Sequence, residues 1–82
     1  MIEVLYFAWV RERIGQPRER VETSAATVGD LVAELRVRED RYAAAFADVS
    51  ALRVAVDQKL ADFSAPLKGA REVAFFPPMT GG

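Results

Sequence analysis

The chain has 82 residues, is 51% hydrophobic and 28% charged, and sets 11 basic against 12 acidic side chains for a net charge of -1. That length holds one domain, the composition is that of a folded globular protein, and the balance excludes an electrostatic footprint for nucleic acid or an anionic membrane. There is no Cys and no His, so a disulfide framework, a zinc knuckle, a cysteine nucleophile and the usual general base are all missing. Ser24, Ser50 and Ser64 have no activating base in their own chain, and the protein is expected not to be an enzyme on its own and to hold no metal. No apolar run approaches the roughly 20 residues of a membrane span, and Met1 leads into a strand-like segment with no signal peptide, so a cytoplasmic location is expected.

Residues 2–10 are β-branched and aromatic without Gly or Pro, which predicts a first strand. Residues 11–16 carry Gly15 and precede Pro17, a connection with at most one helical turn. Residues 18–23 alternate charge with Val21, as a short polar edge strand does, and complete a hairpin; the mixed charges Arg11-Glu12-Arg13 and Arg18-Glu19-Arg20 read as edge protection. Thr27 caps a helix whose Val28, Leu31, Val32 and Leu35 recur at i, i+3, i+4 and i+7, with Asp30, Glu34, Arg36 and Arg38 opposite. A weaker helical pattern over 40–48 places Tyr42, Phe46 and Val49 on one side. Strands are expected over 52–56, briefly over 59–61, and over 72–76, the last ended by Pro77-Pro78, which have no N–H for a ladder. Residues 64–70, with Pro66 and Gly69, form a loop, and the exposed-type Lys59 and Lys68 read as turn residues.

A helix with one apolar stripe and a sheet with one apolar face pack as two layers. Hairpin, right-handed crossover and later strands then give an α+β, β-grasp (ubiquitin-like) roll with a mixed sheet. Alternation divides each strand between two faces. Ile2, Val4, Tyr6, Ala8 and Val10 are assigned beneath the helix, as are Val73 and Phe75. Glu3, Leu5, Phe7 and Trp9 fall on the other face with Glu72, Ala74 and Phe76. One helical layer cannot cover Phe7, Trp9 and Phe76. Either the loop over 61–70 folds across these rings, or they form a docking surface for a protein partner, with Leu60 as a further member.

The chain closes on Phe75-Phe76-Pro77-Pro78-Met79-Thr80-Gly81-Gly82. Residues 1–76 are thus expected to be the β-grasp domain and 77–82 a flexible tail, slim enough at Gly81 and Gly82 to thread a narrow channel. With this tail, the run Val4-Leu5-Tyr6-Phe7-Ala8 followed by Val10-Arg11-Glu12, the Thr27-Val28 cap with Leu31 and Leu35, and Val56-Asp57-Gln58, the sequence resembles the MoaD family, the small sulfur-carrier subunits of molybdopterin synthase. It departs from that family at Lys68-Gly69-Ala70-Arg71, where an Asp-Gly-Asp turn is common, and at Asp57, where Asn is frequent.

The resemblance implies a definite chemistry. An ATP-dependent adenylyltransferase similar to ubiquitin-activating enzymes would turn the Gly82 carboxylate into an acyl-adenylate, and a sulfur relay enzyme would replace AMP to leave a thiocarboxylate. The synthase large subunit would receive Pro77, Pro78, Met79, Thr80, Gly81 and Gly82 in its active site, where sulfur passes to cyclic pyranopterin monophosphate. It also implies that Phe7, Leu60 and Phe76 pack on that partner, in a heterotetramer of two small and two large subunits. The chain itself would bind no cofactor, ATP being used by the activating enzyme. Two other functions fit the same residues: a sulfur carrier for thiazole or tRNA thiolation or a protein modifier, and a non-covalent interaction module whose glycines are incidental.

Overall fold

In the computed structural model, which describes residues 1–78, the opening apolar run divides between two elements. Strand β1 covers Ile2–Tyr6 and helix α1 covers Ala8–Ile14, which corrects the strand expected over 2–10. Val10 and Ile14, one turn apart on α1, are both buried, so the helix closes one end of the core. Gly15 ends it in the left-handed region, φ 91, donating its N–H to the Arg11 carbonyl at 2.7 Å, and Pro17 follows. That is the punctuation of a helix C-terminus. The β propensity of Trp9 and Val10 is overridden by packing, as it often is.

Strand β2 (Arg18–Val21) pairs antiparallel with β1, Ile2 facing Val21 and Leu5 facing Arg18. Helix α2 (Val28–Arg36) starts at Thr27, whose hydroxyl accepts the Asp30 N–H at 3.1 Å, a cap worth about 1 kcal/mol. Its stripe of Val28, Leu31, Val32 and Leu35 is buried as the spacing demands. Helix α3 (Asp40–Ala45) buries Tyr42, and Phe46 just beyond it. Val49 does not continue that face. It opens a separate 3-10 turn, Val49–Ala51, and is 38% exposed.

Strands β3 (Arg53–Val56), β4 (Lys59–Ala61) and β5 (Glu72–Phe76) complete a five-stranded sheet in the order β2-β1-β5-β3-β4. β1 and β5 run parallel at its centre and the other neighbours antiparallel, the mixed sheet of the β-grasp roll. The core lies between this sheet and the helices. Phe75 is its hub, stacked on Tyr6 with centroids 6.4 Å apart and meeting Phe46 edge-on at 5.0 Å. Among the described residues no helix is long and apolar enough to cross a membrane. Met79, Thr80, Gly81 and Gly82 of the expected tail lie outside the described residues.

Candidate functional site

The sheet face turned away from the helices carries an apolar strip with a charged margin. Registers place Leu5 beside Ala74, Ala74 beside Ala55 and Ala55 beside Leu60, one row across four strands. The next row holds Phe76, opposite Arg53 on β3. Phe7 continues the β1–β5 pairing one residue past β1, donating its N–H to the Phe75 carbonyl at 3.1 Å, and so stands beside Phe76. Phe7 is 43% exposed and Leu60 76%. Along the margin, Arg18 and Glu3 form an ion pair at 2.9 Å, with Arg20 opposite Glu3 on β2 and Glu72 beside it on β5.

Of the residues named from sequence for this face, the structure keeps Phe7, Leu60 and Phe76 on it, Phe7 beside Phe76 and Leu60 two strands away on β4, and removes Trp9. Trp9 lies on α1, partly buried against the core, with the Arg13 guanidinium 4.8 Å from its ring centroid. Ala8, assigned beneath the helix by strand alternation, is exposed, and Val10 reaches the core from α1 instead. Both errors follow from extending a period of two past the end of the strand.

The loop between β4 and β5 does not cover the strip. It lies against the start of α2, where the amides of Val28 and Gly29 donate to the Ala65 and Phe63 carbonyls at 3.0 and 2.7 Å, and Leu67 donates to Ala26. Phe63 and Gly29 share there the wall of a shallow depression with Val32, Ala33, Arg36 and Val49. Among the described residues no cluster of metal-ligating side chains occurs.

The two departures from the family pattern lie in separate connections, Asp57 in the β3–β4 turn and 68–71 just before β5, and meet through hydrogen bonds. Asp57 and Gln58 both adopt left-handed backbone, φ 49 and 70, between β3 and β4, as a two-residue hairpin turn requires. The Asp57 carboxylate accepts the Arg71 and Glu72 amides at 2.9 and 3.0 Å, pinning the start of β5. At the other end of β5, Pro77 and Pro78 leave the sheet half-buried and unpaired. Lys59 and Lys68 are exposed.

Glu19, read from sequence as edge protection, has a different place. It faces Val4 across the ladder and turns inward with Val21, while Arg18 and Arg20 point outward. One of its carboxylate oxygens accepts the Tyr6 hydroxyl at 2.8 Å and the Tyr42 hydroxyl at 2.5 Å; the other lies 3.8 Å from Arg38. Burial, then the bond to Glu19, raises both phenols above the ordinary tyrosine range, Tyr6 far above it. Strict alternation in β2 was the available signal.

Comparison with known proteins reaches the whole chain. The ThiS family model matches residues 4–82. The molybdopterin synthase sulfur carrier subunit of Escherichia coli is 45% identical over 82 residues, all of both chains, and that of Haemophilus influenzae 38% over the same span. The Mycobacterium tuberculosis protein of that name is 39% identical, over 99% of this chain and 96% of its own. Among solved structures, SAMP1 from Haloferax volcanii superposes with a TM-score of 0.77 at 25% identity, covering 99% of this chain and 98% of its own. A putative molybdopterin converting factor subunit from Pyrococcus furiosus shares the fold, with a TM-score of 0.71 at 24% identity over 95% of this chain and 97% of its own. A β-grasp chain aligned end to end with three such carriers at this identity belongs to the ThiS family, and within it to the lineage of molybdopterin synthase small subunits.

Proposed function

We propose that this chain is the sulfur-carrier subunit of a molybdopterin synthase and that Gly82 is the donor residue. The carrying observation is the alignment with the Escherichia coli sulfur carrier, which spans both chains to Gly82 at 45% identity. A free carboxylate is a poor electrophile. Attack of a Gly82 oxygen on ATP in the activating enzyme releases pyrophosphate and leaves an acyl-adenylate. Sulfide equivalents from a relay enzyme then displace AMP. The resulting thiocarboxylate is an anionic soft nucleophile made without any cysteine, in keeping with a chain that has none. The unbranched glycyl carbonyl keeps both attacks uncrowded, and Gly81 lets the backbone approach the walls of a partner's channel.

The strip around Phe7, Leu60 and Phe76 is the surface offered to the large subunit. It adjoins the end of β5 from which Pro77-Pro78 depart, so docking there would aim Met79, Thr80, Gly81 and Gly82 at the partner's pocket. Sulfur then passes to cyclic pyranopterin monophosphate, and two loaded carriers complete one dithiolene. The test is intact mass after incubation with ATP, the activating enzyme and a sulfur source. One oxygen-to-sulfur exchange at the terminal residue is expected, lost when Gly82 is deleted or extended by a tag. An unaltered terminus under conditions that thiolate a known carrier would refute the chemistry and favour a non-covalent module. A thiolated chain that binds a thiazole synthase or thiouridylase and no molybdopterin synthase large subunit would move the same chemistry to another acceptor.

A further inference from the structure

We propose that Ala8 is a positioning residue whose left-handed turn sets Phe7 on the outer sheet face before the large subunit docks; the identity of that partner rests on the sulfur-carrier reading. Ala8 has φ 53, a region that favours glycine. Among the described residues the other two non-glycine positions with positive φ, Asp57 and Gln58, make a hairpin turn that needs that geometry. Ala8 belongs to no hairpin. It joins a strand end to a helix start, is exposed, and makes no core contact that would account for the strain.

What the strained turn achieves is visible one residue earlier. Phe7 is extended, φ -125 and ψ 154, and its N–H is bonded to the Phe75 carbonyl. Its own carbonyl accepts the Val10 and Arg11 amides at 3.1 and 3.4 Å, the first turn of α1. Phe7 therefore belongs to sheet and helix at once, and the chain must reverse its path within one residue. With Ala8 left-handed, Val10 turns into the core while the Phe7 ring stays outside. Strained backbone concentrates at sites where it prearranges a contact. A side chain at position 8 also restricts the alternatives: glycine would occupy this φ without strain, but would open the rest of backbone space and free the ring to swing.

The experiment measures affinity for the purified large subunit and melting temperature for Ala8→Gly, Ala8→Asn, Phe7→Ala and the Phe7→Ala/Ala8→Gly double variant. Ala8→Gly is expected to melt no lower than the parent yet to bind roughly three- to ten-fold more weakly, the cost of ordering a freed side chain on docking. Ala8→Asn, which tolerates this φ and keeps a Cβ, should bind as the parent does. The loss from Ala8→Gly should vanish in the Phe7→Ala background. A merely structural role would move melting and affinity together. Parent-like binding by Ala8→Gly, a lowered melting temperature, or an undiminished loss when Phe7 is already Ala would overturn the proposal while leaving the sulfur-carrier reading intact. If the parent chain itself fails to bind the large subunit, that reading fails first and the role of Ala8 with it.

Discussion

Replacing Glu19 with Ala should destabilise the domain severely without touching the outer sheet face. Tyr6 and Tyr42 are each 1% exposed, and both hydroxyls donate to the same Glu19 oxygen, at 2.8 and 2.5 Å. A hydrogen bond to a charged acceptor contributes about 1.5–3 kcal/mol, and a buried hydroxyl left without a partner carries its desolvation cost. The two bonds share one oxygen and are not additive. Arg38, 3.8 Å away with its side chain 43% exposed, adds little. The expected loss is about 3 kcal/mol, a large part of the roughly 4–12 kcal/mol available to a domain of this size. At about 4–8 °C per kcal/mol, the melting temperature should fall by more than 10 °C, to be followed by circular dichroism and checked by denaturant titration. Glu19→Gln keeps an acceptor oxygen and should lose about half as much.

The same cluster predicts a pH response. The chain has two tyrosines and both are in it, so phenolate absorbance reports on these groups alone. Their pKa values are raised in the folded state. The stability they contribute is therefore complete below the ordinary tyrosine pKa and lost as pH rises beyond it, and phenolate should appear only together with unfolding. A Glu19→Ala cost below about 1 kcal/mol, or either phenol ionising in its ordinary range while the chain stays folded, would refute the reasoning.

Three further outcomes follow from single contacts. Asp57→Asn should leave stability within about 0.5 kcal/mol, because the amide oxygen can still accept the Arg71 and Glu72 amides, whereas Asp57→Ala should cost roughly 1–3 kcal/mol in chemical denaturation. Gly15→Ala should cost about 1–2 kcal/mol from the left-handed backbone alone, since an added Cβ would meet only the Arg41 guanidinium, at 3.8 Å; an unchanged denaturation midpoint would contradict the φ of 91. Leu60→Asp, at a side chain 76% exposed, should leave melting nearly unchanged and weaken large-subunit binding by 2 kcal/mol or more if the strip is the docking centre, measured by calorimetry.

What could be read from the residues was what repeats along one element. The stripe Val28, Leu31, Val32 and Leu35 announced α2 and the face it buries, and Val73 and Phe75 announced the inner side of β5, because burial of one face imposes its period on the chain wherever the element lies. The Phe7 and Phe76 rings were likewise legible as surplus to a single helical layer. The tail's terminal glycines and the family likeness were plain in the letters alone.

Other features were decided between segments distant in sequence. β1 stops at Tyr6 although Trp9 and Val10 favour strands, and α1 then carries both Val10 and Ile14 into the end of the core, a contact that only the packed fold offers. Alternation in β2 turns Glu19 inward, but the phenols it accepts from arrive from 13 residues before it and 23 after it, and no local rule names those partners. Leu60, Ala55, Ala74 and Leu5 become one row only once β1 and β5 lie parallel at the centre of the sheet. Periodicity is a property of one element and is written in the sequence. The point where an element ends, and the neighbour its polar side chain meets, depend on free energies shared by the whole fold, and those the tertiary structure alone determined.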